Sequence, residues 1–501
     1  MKKLWVALSV IGLAVRLIAA WLPVPVLITR TMPDDAFIYF VIARNIGSGA
    51  GATFDGVMPT NGFHPLWALA IAPIFRFFPT GDLPVHLALT LSAACDAAAG
   101  VLIAWVVWRL GGKGGQLSAP TIAMALYLFN PRAIQESVNG LETGSAMLAL
   151  AGCVAAWVWL AESPGSKGRS AFFGALAGLS VLARSDLGLI AAVLAVGFVI
   201  TNRKYWPSVI LAGVVGLIVV APWLAWSQLR VGTMVQSSGV AIPSLVSYRI
   251  QIGMDNPAEL WGEVLFPIIN FSFRNSIIYP GAAMIAAIAG VLFVRWPAKR
   301  GEAVELRGSL WVPLIGALLI VVLHTFVRWY PRGWYFMPLA WSWAVAAGPL
   351  LAAGLAAPMA RRFGLGIGAV LALIVVAQSI KMIGEPEYKW QGDMRAGAEW
   401  LAQNVEATET VGAFNAGIYS YYSGQRVLSL DGLVDWGAIE ARQEKRLLDY
   451  FVSRGGTLMI DHEAYAIGSF SPFFGSRTLE SVAELPVADK TYGPIVVYRV
   501  K

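Results

Sequence analysis

The sequence predicts a polytopic α-helical membrane protein that ends in a small water-facing α/β domain. Three observations carry this. Hydrophobic residues make up 57% of the 501 residues and charged residues only 13%, with a mean hydropathy of +0.64; a soluble domain needs a larger polar shell than that. Apolar runs long enough to cross about 30 Å of hydrocarbon recur as far as residue 383. From Glu385 onward they give way to short alternating strand and helix patterns.

The first segment, Leu4 to Ile28, carries one charge, Arg16, and follows Lys2 and Lys3. It reads as an uncleaved anchor, because the apolar core of a signal peptide is shorter and free of arginine. Further runs lie at approximately 84–108, 118–134, 143–161, 171–183, 187–201, 206–227, 275–294, 309–327, 336–357 and 363–383. The expected architecture therefore has about eleven transmembrane helices. The stretch Pro65 to Pro79, "PLWALAIAPIFRFFP", is broken by Pro73 and Arg76 and reads as interfacial or re-entrant. Cys95 and Cys153 fall in apolar runs as packing residues, so no disulfide framework is expected.

Loop charge orients the chain. With the N-terminus in the cytoplasm, Lys113, Lys167, Lys204 and Lys299 all fall inside, and counting 65–79 as a full crossing would break that pattern. The formal net charge of +7 is thus read through topology, and no nucleic-acid partner is expected. The outward face then holds a loop over 29–64, "SVNGLE" near 137–142, the tip "ARSD" at 183–186, a long loop over about 228–274, "VRWYPRGWY" at 327–335, and the tail. Short runs flanking "ARSD" read as a bent hairpin, which is tolerated at membrane depth where it borders a cavity. Outer arginines include Arg30, Arg44, Arg132, Arg184, Arg274, Arg328 and Arg332; a guanidinium fork suits phosphate or carboxylate.

In the tail, "GDMRAGAEWLAQNV" and "AIEARQEKRLLDYFVSRGG" have helical spacing, while "ETVGAFN", "RVLSLDG", "TLMID" and "PIVVYRV" read as strands. The expected division is residues 1–384 as the membrane module and 385–501 as an extracytoplasmic α/β domain with a mixed or parallel sheet.

Chemistry concentrates in "MPDDAFIYFVIARN", where Asp34 and Asp35 enter the first turn of a helix behind Pro33. Two readings stand side by side. Thr31 and Asp34 have the spacing of a capping box, and acids there suit the helix dipole; alternatively, a carboxylate serves as general base or holds a divalent ion, with Glu142 as a further ligand. His64, in "TNGFHPLW", either donates to a phosphate oxygen or caps the next helix. Arg328 and Arg332, with four aromatics in "RWYPRGWYFMP", form either an interfacial belt or a pocket for a lipid-linked phosphate. His324 reads as a satisfied interior histidine, and Glu142 in "NGLETG" as an outer acid of open role.

In order, "PDDAFIYFVIARNIGSGAGATFDG", "TNGFHPLW", "NGLET", "VLARSDLG" and "GAFNAGIYSYYSGQRVLSLDGLVD" resemble the GT-C superfamily of polyprenyl-phosphate-sugar-dependent glycosyltransferases, nearest the branch with the mycobacterial terminal arabinofuranosyltransferases. The resemblance implies an inverting hexosyl or pentosyl transfer at the outer face, with an aspartate of the first outer loop as base. By position Asp34 matches the usual family acid and Asp35 its acidic neighbour, both as catalytic residues. His64, Arg184, Arg328, Arg332, Tyr335 and Glu142 are then expected to bind the donor phosphate or sugar. His64 stands where several branches carry lysine, which removes a permanent charge. The implied partners are a polyprenyl-phosphate-linked sugar, a glycan, lipid or protein acceptor and the bilayer; the implied location is a bacterial inner membrane. No cofactor is required, and a divalent cation stays open. The rival reading is a transporter or flippase of lipid-linked saccharides, for which Arg16, Asp96 and His324 are the charged candidates near the bilayer midplane.

Overall fold

The computed structural model describes residues 2–111, 118–256, 308–327, 332–355, 377 and 384–501. Helices α1 (Lys2–Ala20) and α2 (Val24–Arg30) replace the single segment expected over Leu4 to Ile28. The cause is local: Pro23 and Pro25 lack N–H donors and cannot extend α1, yet they suit the cap and first turn of a new helix. Next come α3 (Asp34–Ser48), closed by the left-handed Gly49 at φ 89°, and the short α4 (Pro65–Phe77). The chain continues through α5 (Leu83–Leu110), α6 (Ser118–Leu128), α7 (Pro131–Glu136), α8 (Thr143–Ala161), α9 (Lys167–Ala183), α10 (Leu187–Thr201), α11 (Trp206–Arg230) and α12 (Ser238–Gln251). Helices α13 (Val312–Phe326) and α14 (Met337–Leu355) complete the apolar part.

The run expected over 118–134 is cut at Asn130, whose side chain accepts the Arg132 and Ala133 N–H groups and starts α7. Among the described residues six helical stretches are long and apolar enough to cross a membrane: Lys3–Ala20, Leu83–Leu110, Thr143–Ala161, Arg203–Arg230, Ser309–Phe326 and Gly333–Ala352. Pro65–Phe77, Ser118–Leu128 and Leu187–Thr201 are shorter apolar helices. The crossings expected at 275–294 and 363–383 lie outside the described residues.

Small residues let the helices approach. On α9, a Cβ added to Gly174 would stand 2.1 Å from Ala212 O, and one on Gly178 would stand 2.7 Å from Gly216 O, both on α11; such spacing is a common device for helix contact in lipid. Between α1, α5 and α6, Arg16 Nε donates to Asp96 Oδ2 at 2.8 Å and Nη1 donates to Leu128 O at 2.7 Å. The Tyr127 hydroxyl donates to Asp96 Oδ1 at 2.5 Å. Two of the charges named for a transport pathway thus neutralise each other in a buried contact, which ties three helices together.

The tail contains α15 (Met394–Asn404), β1 (Thr410–Ala413), α16 (Ala416–Ser423), β2 (Arg426–Ser429), α17 (Trp436–Gln443), α18 (Leu447–Ser453), β3 (Gly456–His462), β4 (Leu479–Leu485) and β5 (Ile495–Val500). Its sheet runs β2-β1-β3-β5-β4, with β1 parallel to β2 and β3, and β5 antiparallel to β3 and β4. The helix expected over "AIEARQEKRLLDYFVSRGG" is two helices, because Lys445 turns left-handed at φ 54° while Arg446 N–H bonds to Ala441 O. One apolar cluster joins tail to membrane part: Phe37, Phe40 and Phe75 meet Tyr421 of α16, and Val411, Ile460 and Val497 carry the cluster into the sheet.

Replacing Arg16 by Met leaves a buried carboxylate unpaired and should cost roughly 3–5 kcal/mol. The double change Arg16→Met with Asp96→Leu should recover most of that loss. Thermal unfolding in a single detergent measures both, and additive losses would contradict the pairing.

Candidate active site

Helix α3 starts where Pro33, at φ −67° and ψ 159°, holds the chain extended and leaves Asp34 at the first helical position. The capping box expected from Thr31 and Asp34 does not form. Thr31 Oγ1 turns back to Leu27 O at 3.4 Å, and the Asp34 N–H is taken by Gln391 Oε1 at 2.8 Å. Gln391, buried, completes its bonding by donating Nε2 to Ile28 O and Met32 O, both at 2.9 Å. A buried helix N–H left unmet costs about 1–3 kcal/mol, so this one glutamine sets where α3 begins.

Asp34 in turn caps a helix other than its own. Its Oδ2 accepts the Gly417 N–H at 2.9 Å and its Oδ1 the Ile418 N–H at 2.7 Å, at the N-terminus of α16. About three turns further along α3, Arg44 reaches the other end of α16, facing Ser420 O and Tyr421 O at 3.5 and 3.4 Å. Acceptor oxygens at the N-terminus and a cation at the C-terminus both suit the α16 dipole. The close approach demands glycine, since a Cβ on Gly417 would lie 2.2 Å from Asp34 O. Burial pushes the Asp34 carboxyl up to about 8 against its two N–H bonds, and Asp35 and Asp461 push the same way. Asp461 steadies the approach to α16 by accepting the Phe414 and Asn415 N–H groups at 2.9 Å.

Asp35 lies about 100° around the helix and points elsewhere. Its side chain is partly exposed and makes no hydrogen bond among the described residues. Burial raises its pKa; nearby Arg332 lowers it and Glu142 raises it again. Tyr335 and Asp431 also lie within electrostatic reach of Asp35.

Around Asp35 the chain gathers side chains from distant segments. His64, at the cap of α4, places Nε2 3.7 Å from Glu142 Oε1, and its backbone N–H donates to the Tyr39 hydroxyl at 3.0 Å. Glu142 also lies close enough to Tyr39 to raise its hydroxyl pKa, after burial the largest cause. Burial lowers the His64 pKa despite Glu142, leaving a neutral imidazole at pH 7. Arg184 is tied to its neighbours through all three nitrogens: Nη1 donates to Trp334 O at 2.6 Å, Nε donates to Asp186 Oδ1 at 3.1 Å, and Nη2 completes the fork on Asp186. Burial would raise Asp186, yet Arg184 and His324 hold its carboxyl well below the usual range. His324 Nε2 lies 3.1 Å from Asp186, and its ring stacks on Tyr335 with centroids 4.5 Å apart.

Arg332 is different. Tyr388, Asp35, Tyr465 and Tyr335 flank it, but its side chain stays exposed and makes no hydrogen bond among the described residues. The neighbouring Gly333 leaves room for an ion pair, because a Cβ there would meet Arg132 Nη2 at 1.9 Å and Glu136 Oε1 at 2.0 Å. Arg132 also binds Glu387 at 2.9 Å, beside the start of the tail.

The structure thus brings Asp35, His64, Glu142, Arg184, Arg332 and Tyr335 into one neighbourhood and turns Asp34 toward the tail. Arg328 lies outside the described residues. Among the described residues no group of three or more His, Cys, Asp or Glu side chains is placed to hold a metal ion, and Asp34, Asp35 and Glu142 form none. Sequence reasoning missed Gln391, Asp186 and Asp431 as members of this neighbourhood. Asp431, raised by burial to about 7, accepts the Ser429 hydroxyl at 2.5 Å. Only the acid directly after the "ARS" tip gave any signal.

A sequence family described as a domain of unknown function (DUF8728) matches residues 381–494. No curated protein matches the chain. The fold is similar to that of ArnT from Cupriavidus metallidurans bound to undecaprenyl phosphate, with a TM-score of 0.58 at 15% identity over 99% of this chain and 98% of that one. It is also similar to the Archaeoglobus fulgidus oligosaccharyltransferase tethered to an acceptor peptide, with a TM-score of 0.58 at 12% identity over 94% of this chain and 70% of that one. Against the mycobacterial arabinofuranosyltransferase AftD the TM-score is 0.45 at 11% identity, over 100% of this chain and 41% of that one.

Changing Asp34 to Ala should speed hydrogen exchange at the Gly417 and Ile418 amides by roughly 10–100-fold, while β3 and β5 keep their protection. Unchanged exchange at those two amides would refute the cap.

Proposed function

We propose, for a chain with the fold of the GT-C membrane glycosyltransferases, that it is an inverting transferase moving a sugar from a polyprenyl-phosphate donor to an acceptor hydroxyl. The setting is the extracytoplasmic face of a bacterial inner membrane, with the N-terminus in the cytoplasm and the tail outside. One observation supports this most: Asp35, a carboxylate that accepts no hydrogen bond among the described residues, stands near Arg332, a guanidinium that donates none among them.

In this reading the acceptor oxygen attacks the anomeric carbon from the face opposite the phosphate. The bond from that carbon to the phosphate oxygen breaks, its electron pair leaves with the phosphate, and the hydroxyl proton passes to Asp35. Arg332 neutralises charge as it develops on the leaving phosphate, so no second carboxylic acid is needed. That separates the reaction from glycoside hydrolysis, where two carboxylates flank the scissile bond. Gln236 Nε2 faces His64 Nδ1 at 3.4 Å, which leaves the proton of the neutral ring on Nε2, beside Glu142 and open to a phosphate or sugar oxygen. Arg184, Asp186 and His324 act as positioning residues that hold Tyr335 as an apolar wall. Asp34 positions α3 through its grip on α16, where both its oxygens already accept N–H bonds, and the base role falls to Asp35, whose oxygens accept no hydrogen bond among the described residues. ArnT bound to undecaprenyl phosphate and the archaeal enzyme tethered to an acceptor peptide support, in general terms, a lipid-phosphate donor and an acceptor.

Asp35→Asn in the folded protein should lower transfer from polyprenyl-phosphate sugars by roughly 10²–10⁴-fold. Undiminished transfer would remove Asp35 from the mechanism. The pH profile gives an independent reading. Because burial raises Asp35, the base is ionised only above the usual carboxylate range, and activity falls as pH drops through that value. Arg332 lowers the Asp35 pKa, so Arg332→Gln should move the acid limb to higher pH; a move to lower pH would contradict the pairing.

A further inference from the structure

A cavity of about 340 Å³ opens at the seam between the α3–α4 loop, the end of α11 and the tail, lined among others by Ser429, Asp435, Trp436, Glu440, Tyr450 and Arg230. Its size falls within the usual range for a small-ligand site. Part of the lining is held rigid. Trp436 Nε1 donates to Asn61 Oδ1 at 3.1 Å, and Asp435 accepts the Gly437 N–H at 2.9 Å and the Tyr450 hydroxyl at 2.8 Å. Asp55, another wall residue, is clamped by Arg426 at 2.8 Å and Arg454 at 3.1 Å. Two charges are left open: Glu440 and Arg230 are exposed and make no ion pair among the described residues.

We propose that this cleft binds the acceptor, and that the acceptor bears a short saccharide at this point. An aromatic ring fixed at its polar edge presents its face to the C–H surface of a sugar. The open carboxylate and open guanidinium suit hydroxyl groups that both donate and accept. Opposite charges at one rim disfavour a strongly anionic or cationic ligand. The cleft wall is linked to the proposed base: Ser429 lines the cleft, the Ser429 hydroxyl donates to Asp431, and Asp431 lies within electrostatic reach of Asp35. The inference rests on the transferase reading for its reason and on the cleft for its chemistry.

The test uses the full chain in detergent and saturation-transfer NMR with methyl glycosides of arabinofuranosyl, mannopyranosyl and glucopyranosyl disaccharides as probes. At least one probe should bind the wild type and bind Trp436→Ala roughly tenfold more weakly. Glu440→Gln and Arg230→Gln, at exposed positions that leave folding intact, should each weaken it by about threefold to tenfold. Asp35→Asn should keep probe binding while losing transfer. Absence of binding by every probe, or binding equal in wild type and all three cleft variants, overturns the cleft assignment. Cleft variants that lose binding while Asp35→Asn transfers normally would leave the cleft standing and remove the catalytic reading alone.

Discussion

The structure depends on helix caps exchanged between α3 and two segments of the tail. Gln391, just ahead of α15, satisfies the first N–H of α3, and Asp34, the first residue of α3, satisfies two N–H groups of α16. Arg44 closes the other end of α16. Each contact answers a donor or acceptor that burial would otherwise leave unmet. The apolar cluster around Phe37, Phe40 and Tyr421 fills the space between them. The tail is therefore part of the scaffold that aims α3, and Asp35 inherits its direction from that aim.

Among the described residues, the charges around the candidate site and its supports fall into two kinds. Arg16 with Asp96, Arg184 with Asp186, and Arg132 with Glu136 and Glu387 are matched and hydrogen-bonded, which is how buried charge is tolerated. Asp35 and Arg332 are near each other, yet neither side chain has a hydrogen bond among the described residues. Matched pairs hold helices and turns in place; groups with open lone pairs and open N–H bonds are the ones able to meet a substrate. The proposed chemistry assigns the reacting roles accordingly.

Much of this was legible in the sequence, and the rest fails for identifiable reasons. Continuous hydropathy marked α5, α8 and α11 well, but it hid the break at Pro23 and Pro25, where backbone donors decide and side-chain hydropathy does not. Pro33 announced the start of α3, and the twin acids announced chemistry. Which acid would face the site was not readable, because it depends on a helical rotation combined with Gly417, Ile418 and Gln391, far along the chain. The split at Lys445 carries neither Gly nor Pro. Strand β4 alternates weakly because it is an exposed edge, and α16 has no polar face because it is buried on nearly every side. Arg332 and Arg184 looked alike as outer arginines; only their partners separate them.

The account turns on Asp35, and not Asp34, facing the donor. A cryo-EM map of the protein with a bound polyprenyl-phosphate sugar tests that most directly. The account predicts the phosphate within hydrogen-bonding distance of Arg332, and the anomeric carbon on the Asp35 side of α3 with room for an acceptor oxygen at about 3–3.5 Å. A phosphate distant from Arg332, or Asp34 released from α16 and turned to the sugar, would contradict it.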